Sequence, residues 1–299
     1  MTDAARPYRA GTVVLVGRPN VGKSTLLNAL VGTKVAIVTP KPQTTRTRVV
    51  GIRNLPDGQV VLVDTPGIHP ARSPLNRRMV ETARRALEET EAAVLVVDAS
   101  AGVLAGDREL AGELAETTLP TIVVLSKMDR VPRPQLLPLM AELGALLPDR
   151  EIVPASATRG ENVAAVLGAV LRALPEGPPL YPHDEFTTEP VRVLAQELVR
   201  EQVFLATRDE VPYGTASIVE RFEEKPEQGL TVIAATILVA RQSHKGMIIG
   251  TKGERLRDIG TRARQGLETL LGTRVYLELF VRVEPGWTDN PRRLAELGL

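Results

Sequence analysis

The chain contains no cysteine, which excludes disulfide staples, thiolate nucleophiles and cysteine-ligated zinc. Aromatic residues make up only 3% of its 299 residues, which weighs against recognition of nucleic acid by stacked rings. The 37 lysines and arginines nearly balance 36 acidic residues. A uniformly basic nucleic-acid binder is therefore excluded, and any such site must be a local patch. No apolar run approaches the roughly 18–20 residues of a membrane span. Met1-Thr2-Asp3-Ala4-Ala5-Arg6 lacks the apolar core of a signal peptide, so a cytoplasmic location is expected. What is present, 43% apolar and 24% charged residues, suits a globular chain long enough for two domains.

The first half alternates β-branched runs with helical stretches. Thr12–Val16, Val49–Arg53, Gln59–Asp64, Ala93–Asp98, Thr121–Ser126 and Glu151–Pro154 read as strands. Several are apolar throughout, as expected of strands buried on both faces. Helices are expected near Leu75–Glu89, Asp107–Thr117, Pro134–Leu146 and Asn162–Ala173. The alternation predicts an α/β fold with a mostly parallel sheet and helices on both faces, its ligand lying beyond the carboxyl ends of the strands. From Leu174 to Pro190 five prolines (Pro175, Pro178, Pro179, Pro182 and Pro190) suggest a linker. The boundaries are set at 1–180, a linker at 181–190, and a second domain at 191–299. Its expected order is α-β-β-α-α-β: helix Val191–Leu205, strands Ala216–Glu223 and Thr231–Ala240, two helices, and a last strand Arg274–Val283.

Gly17-Arg18-Pro19-Asn20-Val21-Gly22-Lys23-Ser24 lies between the first strand and a helix-like stretch from Thr25. Gly-x-x-x-x-Gly-Lys-Ser in that context is a phosphate-binding loop. Its glycines let backbone N–H groups curl round phosphates, aided by the positive end of the helix. Lys23 reaches the outer phosphates and Ser24 ligates magnesium. Asp64-Thr65-Pro66-Gly67 ends the third strand run. There Asp64 can hold a magnesium-bound water and the Gly67 N–H can sense a γ-phosphate, although Asp, Pro and Gly also make ordinary turns. Thr45, or failing it Thr44, is the candidate switch threonine for magnesium and γ-phosphate. Ile68 stands where Ras-like enzymes carry a water-orienting glutamine, and the neighbouring His69 is more simply a surface residue. Unassisted turnover is therefore expected to be slow, on the order of 10⁻⁴–10⁻² s⁻¹.

Ser126-Lys127-Met128-Asp129 is similar to the guanine-reading Asn-Lys-x-Asp motif of GTPases. Asp129 would accept from the ring N–H and exocyclic amine of guanine, a donor pair that adenine lacks. The Lys127 stem would lie over the base, and a backbone N–H at Ser156-Ala157 would read the guanine carbonyl. Ser126 replaces the usual Asn and keeps at most one of its hydrogen bonds. Weaker affinity with guanine selectivity retained is expected.

In the second half, Gly250-Thr251-Lys252-Gly253 follows Ile249 within a basic stretch containing Arg241, Lys245, Arg255, Arg257, Arg262 and Arg264. Together with the phosphate loop, Pro42-Gln43-Thr44-Thr45-Arg46, Asp64 to Gly67, the segment from Arg200 to Tyr213, and Gly286-Trp287-Thr288, this resembles the Era family of bacterial GTPases over nearly the full length. The resemblance implies a Ras-like G domain followed by a type II KH domain, whose Gly-x-x-Gly turn clamps about four single-stranded nucleotides. RNA contacts would fall to Arg241, Lys245, Ile249, Gly250, Thr251, Lys252, Gly253, Arg255 and Arg257. It further implies GTP/GDP and Mg2+ as ligands, the 3′ end of 16S rRNA and the small (30S) ribosomal subunit as partners, and peripheral association with the cell membrane; a monomer is expected. The competing reading is a passive rRNA-binding chaperone with a degenerate G domain, for which Ser126 and Ile68 speak.

Overall fold

The computed structural model describes residues 7–67 and 74–299, which form two compact units. The first is built on a six-stranded sheet. Its elements are β1 (Arg9–Val16), α1 (Lys23–Val31), β2 (Val49–Leu55), β3 (Gly58–Asp64), α2 (Pro74–Glu88, in this unit from Arg78 onward), β4 (Ala92–Asp98), α3 (Ala105–Ala115), β5 (Thr121–Ser126), α4 (Arg133–Leu146), β6 (Ile152–Pro154) and α5 (Val163–Ala173). Strand order is β2-β3-β1-β4-β5-β6, parallel throughout except for the antiparallel β2–β3 pair.

The continuous apolar strands explain the layering. Val13 and Leu15 of β1, with Val94 and Val96 of β4, face α1 and α5. Val14 and Val16, with Leu95 and Val97, face the side packed by α3 and α4. Alternation in β-strands sends successive side chains to opposite faces, so a strand covered on both sides must be apolar at every position. The parallel strands place Val16, Asp64, Asp98 and Ser126 at one edge of the sheet, and the phosphate loop and the other candidate motifs emerge there.

The stretch read as a linker packs instead with the first unit, which runs to Thr188. Edge strand β2 leaves backbone groups unpaired, and this stretch satisfies them: Ile52 N–H donates to Phe186 O (2.9 Å) and Thr187 Oγ1 to Val50 O (2.5 Å). Gln59 adds bonds to the backbone at Leu180 and Tyr181. The prolines thus stiffen a strap over a sheet edge rather than a free spacer.

The second unit contains α6 (Val191–Ala206), β7 (Thr215–Lys225), β8 (Leu230–Val239), α7 (Gln242–Ile249), α8 (Glu254–Leu271), β9 (Arg274–Val283) and α9 (Pro291–Glu296). Its sheet has the order β7-β8-β9, with β8 antiparallel to β7 and parallel to β9. The apolar faces of α6 and α8 cover one side. Residues Ile37–Thr44 also cluster in this unit. Lys41 Nζ donates to the carbonyls of Phe204 and Thr207 at the end of α6, where a cation suits the helix dipole. Val38 N–H donates to Glu201 Oε1 (2.9 Å), and Arg200 Nη2 to Thr44 O (2.5 Å).

Candidate functional site

The loop between β1 and α1 is shaped by Gly22, which holds φ +101° immediately before the helix starts at Lys23. Only glycine takes that conformation without strain. Lys23 is 6% exposed, and its Nζ donates to Gly17 O and Arg18 O, each at 3.0 Å, which places the ammonium inside the loop. Burial lowers its pKa to about 8, partly offset by the carboxylate of Asp64. Arg18 is fixed from outside by a 2.8 Å bond from its Nε to Asp107, whose carboxylate also accepts from Leu104 N–H.

Three oxygen-bearing side chains converge beside Lys23. Ser24 Oγ lies 2.5 Å from Asp64 Oδ2, Thr45 Oγ1 lies 3.0 Å from the same atom, and the two hydroxyls are 2.8 Å apart. Asp64 is fully buried, and its Oδ1 has no hydrogen-bond partner. Burial raises its pKa, against the lowering effect of Lys23 and of bonds from Ser24, Thr45 and the Thr65 backbone. A buried carboxylate oxygen left open beside two hydroxyls is a hard, all-oxygen donor set. It fits Mg2+, which takes one or two carboxylates and completes its shell with water and phosphate. The two candidate switch threonines separate here. Thr44 Oγ1 is engaged by Thr39 Oγ1 and Lys41 O, whereas Thr45 reaches Asp64.

Other members of the predicted set have different tasks. The Thr65 hydroxyl donates to Leu15 O at 2.9 Å, tying the end of β3 to β1. Gly67 lies so close to the loop that a Cβ there would be 2.6 Å from Pro19 N. Asn20 takes φ +65°, and its carbonyl accepts from Lys127 Nζ at 2.6 Å. Val21 is buried, Gly17 directly follows β1, Thr25 lies in the first turn of α1, and Pro66 follows β3. Ile68 and His69 lie outside the described residues.

At the end of β5, Ser126 Oγ lies 2.5 Å from Val21 O and 3.0 Å from Val97 O. Lys127 also forms a 2.5 Å ion pair with Asp98, whose other oxygen accepts from Ser100. Asp98 was not singled out from sequence. Its signal was available, since it ends β4 at the same edge where Asp64 ends β3. Ser156 hydrogen-bonds Asp129 and, with Arg159 and Arg130 nearby, holds that carboxyl below the usual range. Asp129 is thus an ionised acceptor. The Ser156 N–H is spent on Glu161 O at 3.0 Å, leaving Ala157 as the backbone donor of that pair. Ser156 is thus held between the Glu161 carbonyl and the Asp129 carboxylate.

In the second unit, α7 stops at Gly250 (φ +71°), and a short turn leads through Lys252 to Gly253 at the start of α8. Thr251 and Lys252 are exposed, as are Arg241, Arg255 and Arg257, while Ile249 and Lys245 are half-buried. Arg255 donates to Met247 O across the turn. Arg264 is engaged by Glu268 at 2.9 Å, so its charge is locally compensated. A backbone-accessible turn at the foot of a helix, ringed by cations, suits phosphate groups.

A family model described as a 50S ribosome-binding GTPase matches residues 12–127, and a KH-domain model matches 210–288. The chain is 48% identical to the GTPase Era of Geobacter metallireducens, covering 98% of both chains. It is 46% identical to that of Geotalea daltonii, covering 97% of this chain and 98% of the relative. The structure is similar to that of an Aquifex aeolicus Era variant bound to GDP·AlF4−, with TM-score 0.93, 43% identity, and coverage of 97% and 99%. The same values relate it to an Era in complex with MgGDPNP and nucleotides 1506–1542 of 16S ribosomal RNA.

Proposed function

The chain belongs to the Era family of GTPases, and from that premise we propose that the cluster around Lys23 and Asp64 binds and hydrolyses GTP while the Gly250–Gly253 turn binds the 3′ end of 16S rRNA. The observation that carries the first assignment is the convergence of Ser24, Thr45 and Asp64 within 3.0 Å, with one oxygen of Asp64 left open. Ser24 and Thr45 would hold Mg2+, with Asp64 accepting from its water shell. Bound there, Mg2+ neutralises charge on the β- and γ-phosphate oxygens.

Everything else falls to the chain itself. The Lys23 ammonium leaves the loop carbonyls for the phosphates, and the N–H groups from Asn20 to Thr25 surround them at the start of α1. Ser24 and Thr45 exchange their mutual hydrogen bond for bonds at the ligand. The Gly67 N–H meets the γ-phosphate and Thr45 turns to the metal beside it, so both respond to whether that group is present, which is the logic of a switch. Asp129 accepts from the guanine donor edge, and the Ala157 N–H donates to the carbonyl. No glutamine follows Gly67, so turnover without a partner is slow.

In the second unit Lys252, Arg255 and Arg257 neutralise the RNA backbone, and the two glycines let it approach. The site of action that follows is the assembling 30S subunit. Peripheral membrane attachment is a further expectation of the family, and no helix among the described residues is long and apolar enough to cross a membrane. The passive-chaperone reading loses ground because Ser126 still braces the phosphate loop at Val21.

The test is GTP turnover by the purified protein, with and without a short RNA of the 16S 3′ end. Slow, Mg2+-dependent turnover that rises with RNA is expected; binding of RNA without any nucleotide turnover would restore the chaperone. Asp129→Asn should exchange preference from GTP to XTP, and an unchanged preference would remove Asp129 from the base site.

A further inference from the structure

We infer that this protein reads guanine with no hydrogen bond to N7 of the base, and that Ser126 is the specificity-determining residue responsible. The inference rests on the assignment of the nucleotide site made above.

A hydroxyl carries one proton. Ser126 Oγ has two carbonyl neighbours, Val21 O at 2.5 Å and Val97 O at 3.0 Å, and the residue is 7% exposed. The proton is therefore committed to the backbone, and the shorter contact assigns it to the phosphate loop. Turning it toward a base would strip a buried carbonyl of its partner. What Ser126 retains is lone pairs, and N7 of guanine is itself an acceptor, so the two cannot bond.

The neighbours do not replace it. Lys127 Nζ spends two of its three donors on Asn20 O and the Asp98 carboxylate, and with its stem lying over the base the third is out of the ring plane in which N7 accepts. Asp129 is an ionised acceptor, suited to the N1–H and N2–H2 donors and not to N7. The Ala157 N–H is assigned to the carbonyl. An asparagine at position 126 would differ in kind. Its amide has two N–H donors, enough to keep the brace on Val21 O and present a second donor to the base.

The discriminating probe is 7-deaza-GDP, in which N7 is replaced by C–H and the Watson–Crick edge is unchanged. Calorimetric titration of GDP and 7-deaza-GDP should give dissociation constants within twofold of each other for the parent protein. Ser126→Asn should bind GDP more tightly and prefer it over 7-deaza-GDP by about 2- to 10-fold, the effect of one net hydrogen bond. Ser126→Ala should weaken both ligands by the same factor, because the hydroxyl acts through the loop alone. A parent protein that loses fivefold or more on 7-deaza-GDP overturns the inference. So does a Ser126→Asn variant that binds GDP but treats both ligands alike, which would remove residue 126 as the determinant. Absence of binding to either ligand by the parent would instead overturn the nucleotide-site assignment itself.

Discussion

Replacing Gly67 by alanine puts a methyl carbon 2.6 Å from Pro19 N, 2.7 Å from Pro19 Cα and 2.9 Å from Pro19 Cγ. Carbon atoms in favourable contact stand about 3.5–4.0 Å apart, so the overlap is about 1 Å. The obstructing atoms are backbone and ring, which cannot rotate aside as a flexible side chain would. Either the turn after β3 or the phosphate loop must therefore move by about that distance. Overpacking of this kind costs about 1–3 kcal/mol, a fall of about 2–12 °C in the melting temperature of a domain of this size. The larger effect is on chemistry, because a misplacement of about 1 Å in a reacting constellation costs about 100-fold. Single-turnover GTP hydrolysis should fall by about that factor. Thermal melting and rapid-quench hydrolysis of the variant are the assays. Gly112→Ala is the control, since Gly112 lies within α3 with nothing within 4 Å of the added carbon. That change should stabilise by about 0.5–1 kcal/mol. A Gly67→Ala protein that melts and hydrolyses like its parent would refute the argument from close approach.

Three further outcomes are expected. Burial lowers Lys23 to about 8, so between about pH 8 and 10.5 the unfolded chain holds more protons than the folded one, and this residue's contribution to stability rises with pH across that window. Nucleotide phosphates restore the ammonium, so GDP binding without added metal should take up about half a proton at pH 8 and about a tenth at pH 7. Titration calorimetry in buffers of different ionisation enthalpy measures this, and zero uptake at pH 8 would contradict it. Gly253→Asp places a carboxylate at a φ +80° position in the RNA turn; RNA binding by fluorescence anisotropy should be lost while GDP affinity stays unchanged. Trp287 is 1% exposed and donates from Nε1 to Gly214 O at 3.3 Å, so Trp287→Ala should cost about 3–5 kcal/mol in denaturant unfolding of the second unit.

Much of this was legible because the functional residues carry their constraints locally. A phosphate loop needs glycines at fixed offsets next to a strand and a helix, and Gly17 to Ser24 display that need in consecutive positions. Asp64 and Ser126 end buried strands, so the apolar runs announce where they stand. What stayed hidden was set by partners far along the chain. Asp98 and Lys127 meet because β4 and β5 are neighbours in the sheet, and Arg18 meets Asp107 across 89 residues. The bonds of the Ser156 N–H to Glu161 and of its hydroxyl to Asp129 have no local signature at Ser156-Ala157. The proline stretch reads as a linker in sequence because proline content reports stiffness, not what a stiff segment lies against.

Ile37–Thr44 packs with a sheet and helices that begin more than a hundred residues later, and this bears on how the molecule can be taken apart. A recombinant fragment cut just before α6 would carry Arg200 and Glu201, each 3% exposed, without the backbone groups of Thr44 and Val38 that they bond. The carbonyls of Phe204 and Thr207 would likewise lose Lys41. The carboxyl-terminal segment is thus no transplantable cassette. One boundary of its unit runs between Thr44 and Thr45, two adjacent residues of one loop.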